Sequence, residues 1–333
     1  MLEVISTSGF SSFQDMGRNG FLSQGISRSG AADYYALFEG AALLDQNPNS
    51  TALELIGNGG KFRVLQNCMV ALTGAIMPAS LDKKPLAWNS SHFLHDGSIL
   101  ELGAPQNGRY SYLHLRGGFK APKVFNSSSA QPSAGIGKYT RPKDILEPLE
   151  KNPEALKCQT IEPVHRFELT NFRLVESFQT HLFNPKTIKK FVDAEFSIDN
   201  QANRGGMKLA HTGSGFSTSN QLKIMSDMII PGDIQMTGSG QPFVLLPDCQ
   251  TMGGYPRIGC IIPPDLPAIA QLKTGRTVKF KFISRDEANR IASKDLKCLE
   301  IIKERCLEPI RDPQKMADLL NFNLIDGAVW AKN

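Results

Sequence analysis

The chain has 333 residues, enough for two domains of ordinary size, and its 41% hydrophobic and 21% charged content matches water-soluble globular proteins. With 37 Lys and Arg against 32 Asp and Glu, the net charge of +5 is spread without a block of like charges, which excludes a basic nucleic-acid-binding stripe. No run reaches the roughly 20 apolar residues of a membrane-spanning helix. The opening MLEVISTSGF lacks a secretory pattern and the six cysteines form no CxxC pair, so free thiols in a cytoplasmic protein are expected.

In chain order, the first informative stretch is FSSFQDMGRNGFLSQGISRSGAADYYAL (10–37). Gln14, Asp15 and Arg18 cluster around Gly17 and Gly20, and Gly25, Ser29, Gly30 and Asp33 lead into a helical pattern. Glycines let a backbone turn and approach another surface closely. Arg18 offers a planar fork for a carboxylate or carbonyl, and the start of a helix presents free N–H groups to an anion. The plainer alternative is a tight loop braced by an Asp15–Arg18 ion pair. A helix is predicted over 29–48, with Ser29 as its cap and Pro48 beyond its end.

Short strands follow at 61–65, 69–75, 98–103 and 109–115. His92 and His95 form a close pair that lacks the two further ligands a zinc site needs, so no metal is expected. The stretch NSSSAQPSAGIGKY (126–139) reads as a long surface loop, with a domain boundary near 160. Strands are predicted again at 172–175, 242–246, 257–262 and 277–283. In the last, Val278, Phe280 and Phe282 alternate with Lys279 and Lys281, as in a half-buried strand. A short helix over 265–273 is assigned Asp265 as cap. A longer one over 284–306 opens with the capping-box spacing of Ser284 and Glu287 and begins a helical appendage rather than more sheet.

The second informative stretch spans 229–280. Gln235 lies near a strand start, and Asp248, Gln250, Thr251 and Tyr255 gather at a strand end around Gly253 and Gly254. A carboxylate there can act as a base or hold a substrate N–H, Gln250 can donate and accept at once, and the glycine N–H groups could face an oxyanion. A wide turn capped by Asp248 is the plainer alternative. There is no nucleotide-phosphate loop, no dinucleotide-binding GxGxxG and no GxSxG elbow. GMKLA (206–210) shares a Met-Lys dipeptide with biotinylation sites, but Lys208 reads as an ordinary cation.

At these two stretches the sequence resembles the allophanate hydrolase subunit 2 family, which includes the C subunit of bacterial 5-oxoprolinase. It is also similar to part of the carboxyltransferase domain of urea carboxylase. The family's Gln-Asp-x-Gly-Arg and Ser-Gly-Ala-x-Asp patterns are met by Gln14, Asp15, Gly17, Arg18, Ser29, Gly30, Ala31 and Asp33. Its Gly-x-Ile-Gln and Asp-x-Gln-Thr-x-Gly-Gly-Tyr-Pro patterns are met by Gly232, Ile234, Gln235, Asp248, Gln250, Thr251, Gly253, Gly254, Tyr255 and Pro256, and Asp265, Leu266, Ala270, Gln271 and Leu272 follow. The resemblance covers residues 1 to about 288. Departures are FNSSSA at 125–130, ESFQ at 176–179, Lys208 in place of an arginine after Arg204, and Cys249 in place of another.

The resemblance implies a mainly β fold of two cyclophilin-like β-barrel halves with few short helices, here 1–160 and 161–288, followed by a helical tail over 289–333. It implies a member of an ATP-dependent 5-oxoprolinase-type hydrolase complex that opens a lactam. The expected partner is the B subunit (an allophanate hydrolase subunit 1-like protein), with a third lactam-opening subunit, and ATP is handled by the partners. Asp248, Gln250 and Tyr255 are then the catalytic candidates. Gln14, Asp15, Arg18, Ser29, Asp33, Arg204, Gln235, Thr251, Gly253 and Gly254 are the substrate-binding ones, with Arg18 and Arg204 placed to hold a carboxylate. Biotin-dependent carboxyl transfer, with biotin supplied in trans, and a non-catalytic regulatory subunit are the alternatives.

Overall fold

The computed structural model describes residues 1–150, 156–218 and 224–309. Its first half is built from two facing sheets. One has the strand order Ile145–Leu146, Leu2–Thr7, Gly60–Val64, Ile99–Leu102, Ala79–Leu81, Lys84–Leu86. The other runs Phe10–Gln14, Ala52–Ile56, Tyr110–Leu115, Cys68–Gly74, Ser90–Leu94, Thr160–Ile161, Cys306–Leu307. Alternate residues of both sheets, among them Val4, Phe62, Leu100, Leu53, Val70 and Leu113, point inward and form one dry core.

The second half closes into a seven-stranded barrel: Asn171–Val175, Arg257–Ile261, Asp233–Met236, Pro242–Leu245, Gly206–Ala210, Phe196–Ala202 and Thr277–Phe282. Its seam is the one parallel pairing, Asn171 beside Lys279 through Leu174 beside Phe282. As the alternation predicts, Val278 and Phe280 are buried and Lys279 and Lys281 exposed. Closure leaves this barrel no free edge.

Among the described residues four α-helices stand against many strands: α1 (Tyr34–Leu44), α2 (Pro185–Asp193), α3 (Leu266–Gln271) and α4 (Arg285–Glu300). The expected cap of α1 is corrected. Ser29 sits at φ +51°, outside the helix, and Asp33 is the residue whose side chain accepts from Ala36 N–H. Asp265 precedes α3 without a side-chain cap; its carboxylate is held by Arg173 through Nε at 3.1 Å and the Arg173 backbone N–H at 2.8 Å. Ser284 caps α4 as expected, accepting from Glu287 N–H at 3.1 Å.

Helix α1 lies against strand Tyr110–Leu115, and glycine sets how closely. A Cβ on Gly40 would stand 2.4 Å from the His114 ring. Thr73 Oγ1 donates its proton to Ala36 O at 2.9 Å, so His114 Nε2, 2.8 Å away, must donate to Thr73. The largest core crosses from one half to the other: Ala36, Leu37, Ala52 and Tyr112 pack in one cluster with Ile234, Val244, Ile258 and Ile269. After α4 the chain turns back and Cys306–Leu307 pairs with Thr160–Ile161, so the segment read as purely helical ends by adding a strand to the first half. The rest of the expected tail, from 310, lies outside the described residues.

Candidate functional site

The two informative stretches meet where the halves join. Gly17 and Gly30 make the approach possible: both have positive φ, +85° and +94°, and a Cβ on Gly30 would stand 3.1 Å from Gly17 Cα. The loop so formed hands Ser29 to the barrel, where Ser29 N–H donates to Pro247 O at 3.1 Å. Ser29 Oγ donates to Asp248 Oδ1 at 2.6 Å.

Arg204, between two barrel strands, is the hub. Its Nε donates to Asp248 Oδ2 at 2.7 Å, and Nη2 donates to Asp248 Oδ1 at 2.9 Å and to Gly30 O at 2.6 Å. Its Nη1 donates to Glu54 of the first half. Nη2 also stands 3.4 Å from Gln14 Oε1. Burial opposes the Arg204 charge, but Glu54 and Asp248 outweigh it and hold the guanidinium pKa well above its usual value. Glu54 is fully buried, and its other oxygen accepts from Tyr112 Oη at 2.6 Å and Ala32 N–H at 2.9 Å.

Asp15 and Arg18 do not brace each other as an ion pair. Asp15 accepts from Ser127 Oγ and Ser129 Oγ, each at 2.6 Å, from Ser128 N–H at 2.6 Å and from Gly17 N–H at 2.9 Å. The stretch expected to be a surface loop therefore buries Ser127 to Gln131 and serves as the anion cradle of Asp15. Arg18 donates from Nε to Val124 O at 3.2 Å and from Nη2 to Ser129 O. Its Nη1 is buried without a partner. Burial lowers the Arg18 pKa; Asp15 and Asp248 act on it in the opposite sense and Arg204 in the same sense, so all four groups share one neighbourhood.

Other expected site residues are placed differently. Asp33, fully buried, binds Arg166 Nε and Gln271 Nε2, each at 2.7 Å, and Arg166 goes on to a two-point pair with Glu39. This second network braces α1, and no solvent reaches it. Gln235 is buried beneath the 250–255 turn, where a Cβ on Gly253 would stand 2.6 Å from its Nε2. Gly253 is not a free oxyanion donor in an open loop, for it pairs with Asp227 in a two-residue ladder. Thr251 is buried and its carbonyl accepts from Ile229 N–H. Gln250 and Tyr255 are exposed and Gly254 is half-buried. Cys249 is buried, its thiol pushed up to about 12 by burial and by Asp233 and Asp248. Lys208 pairs with Asp199 at 3.4 Å.

Sequence reading missed Glu54, Arg166 and Arg257, the last of which ties down the 250–255 turn through Asp227, Asp233 and the Met228 carbonyl. A carboxylate inside the apolar run ALELI was the available signal for Glu54. Among the described residues no group of three or more His, Cys, Asp or Glu is arranged to hold a metal ion, and no helix is long and apolar enough to cross a membrane. Cavities of about 870 Å³, beside Leu65, Cys68 and Arg116, and about 280 Å³, beside Phe13, Val124 and Ser129, lie off Asp248.

This junction of two β halves is the architecture of a known domain class: residues 24–282 match the carboxyltransferase domain, subdomain A and B. The chain belongs to that family. It is 31% identical over 300 residues to the 5-oxoprolinase C subunit of Haemophilus influenzae, covering 89% of this chain and 95% of that one. The protein of the same name from Escherichia coli is also 31% identical, covering 86% and 93%. The urea amidolyase of Saccharomyces cerevisiae is 23% identical over 93% of this chain and 18% of its own. Among solved structures, the K. lactis urea amidolyase superimposes with a TM-score of 0.79 at 21% identity, over 94% of this chain and 21% of that one, which establishes a shared fold.

Proposed function

We propose that the chain is one member of an ATP-dependent 5-oxoprolinase-type lactam hydrolase complex, working with a B subunit (allophanate hydrolase subunit 1-like) partner and a third, lactam-opening subunit. The observation that carries this reading is near full-length similarity to two 5-oxoprolinase C subunits, combined with the buried Asp248–Arg204–Ser29 junction. Asp248 is oriented by two donors on Arg204 and one on Ser29, which fixes its carboxylate for contact with a substrate N–H. Gln250 and Tyr255, both exposed, are the side chains assigned to flank that contact. ATP belongs to the partners in this reading, since the sequence has no phosphate loop.

The family match favours one alternative, biotin-dependent carboxyl transfer with the biotin carried by another protein. One experiment divides the two. The chain, assembled with both candidate partner subunits, should release phosphate from ATP only when 5-oxoproline is present and should form glutamate. Absence of turnover with all subunits present, together with carboxylation of a urea-type acceptor by a biotinylated partner, would replace the first reading with the second.

A further inference from the structure

The direction in which Asp248 points is set by a chain of contacts that begins in the core of the first half. Tyr112 and Glu54 face each other as register partners on neighbouring strands, and both are fully buried. Tyr112 Oη accepts from Asp33 N–H at 2.9 Å and gives its one proton to Glu54 Oε2 at 2.6 Å. Burial, and then Glu54 and Asp33, push the phenol pKa well above its usual value, so the hydroxyl remains a donor. The ring has little room to turn, since a Cβ on Gly74 would stand 2.8 Å from Tyr112 Cδ2.

Glu54 passes the alignment on. Tyr112 Oη and Ala32 N–H both occupy Oε2, which leaves Oε1 to Arg204 Nη1. All three guanidinium nitrogens of Arg204 have protein acceptors, leaving none for a substrate carboxylate. A guanidinium is a rigid plane, so holding it at Nη1 fixes the direction of its Nε–Nη2 edge. That edge meets Asp248 at two points, 2.7 Å from Nε to Oδ2 and 2.9 Å from Nη2 to Oδ1.

We propose that Tyr112 is a positioning residue for Asp248: its hydroxyl aligns Glu54, and Glu54 aligns the Arg204 fork that holds the Asp248 carboxylate. This role deepens the lactam-hydrolase reading and rests on it for the kinetic test. Tyr112 itself touches no substrate; it acts from the first half on a carboxylate that belongs to the barrel.

The test compares Tyr112→Phe with Tyr110→Phe in the full chain, alone and assembled with its partners. Tyr110 is also buried, two residues away on the same strand, and its hydroxyl has no hydrogen-bond partner among the described residues. Each variant removes one buried oxygen and keeps the ring, so both are expected to fold. Tyr112→Phe should lower kcat for 5-oxoproline-dependent phosphate release by about tenfold or more while KM changes by less than about twofold, the mark of a misaligned group with binding retained. Tyr110→Phe should match the parent. A second readout needs no turnover. Cys249 is buried and adjoins Asp248 in the chain, so its alkylation by iodoacetamide, followed by peptide mass spectrometry, reports loosening of that segment. Tyr112→Phe should speed this alkylation by about threefold or more, and Tyr110→Phe should not. Parent-like alkylation in Tyr112→Phe, or equal changes in the two variants, overturns the positioning role whatever the complex does. A kinetic loss carried by KM alone overturns it too. Faster alkylation confined to Tyr112→Phe, with no turnover in any assembled complex, sinks the hydrolase reading and leaves the positioning role standing.

Discussion

At the scale of single residues, Arg204 decides the most. Its counter-charges are divided, Glu54 from the first half and Asp248 from the barrel, so removing either leaves a buried cation half-compensated. Glu54→Gln is expected to lower the unfolding free energy by about 3–5 kcal/mol, the usual cost of breaking a buried pair from one side. An unchanged denaturant midpoint would contradict that. Asp248→Asn should leave partner association intact in a pull-down while cutting turnover of the assembled complex by about 100-fold or more. His114 offers a pH test. Burial holds its pKa down at about 3, against 6.5 when exposed. The unfolded chain takes up a proton that the folded chain refuses, so this contribution to stability is complete above pH 6.5 and fades as pH falls toward 3. Over that window the loss is about 1.4 kcal/mol per unit. His114→Gln should therefore flatten the fall in stability between pH 6.5 and pH 5, and identical slopes would refute the neutral assignment. Of these residues Asp248 was legible, because three polar side chains ahead of a glycine turn exceed what the turn requires. Arg204 was legible only through family resemblance. Glu54 was hidden by its neighbours, since a single carboxylate does not interrupt the apolar pattern of a fully buried strand.

At the scale of elements, legibility followed length and periodicity. Thr277–Phe282 and Tyr110–Leu115 carry enough alternating or apolar residues to announce themselves, whereas Ala79–Leu81 and Lys84–Leu86 are three residues each and carry no period. Helix α1 was placed correctly but started too early, because Ser29 and Asp33 are both suitable caps in composition and only backbone geometry separates them. The serine run at 127–129 looked like solvent-facing loop; its hydroxyl and amide groups in fact surround Asp15, a long-range pairing that polarity alone conceals. Contact between α1 and its sheet sets the last expectation at this scale. Gly40→Ala would push a methyl group into the His114 ring and should destabilise by about 1–3 kcal/mol, read as a lower melting temperature. A variant as stable as the parent would mean the helix can slide away at no cost.

At the scale of the whole molecule, the two halves are legible as two strand-rich blocks, but their union is not. Nothing in the sequence pattern shows that Ala36, Leu37 and Tyr112 share a core with Ile234 and Ile269, or that Cys306–Leu307 returns to Thr160–Ile161. Such contacts join positions more than a hundred residues apart and leave no local period. The return is anchored by Leu299 and Ile302, which pack with Tyr35, Leu43 and Met69 of the first half. Leu299→Ala should cost about 2–5 kcal/mol and should speed amide hydrogen exchange at Thr160 and Ile161, the strand that packs in the same cluster and pairs with Cys306–Leu307; protection unchanged there would show the terminal strand to be independent of the helix.

The parallel seam of the barrel gives α4 a task beyond covering that core. Because Asn171–Val175 and Thr277–Phe282 run the same way, the chain enters the barrel at one rim and leaves it at the opposite one. Sixteen helical residues extend about 24 Å. Helix α4 is thus a strut that carries the chain from the end of the barrel to the first half, where Asp295 accepts from Tyr35 Oη at 2.7 Å and Leu299 packs with Leu43 and Met69, and deleting one turn of it would leave Leu307 about 5 Å short of Thr160.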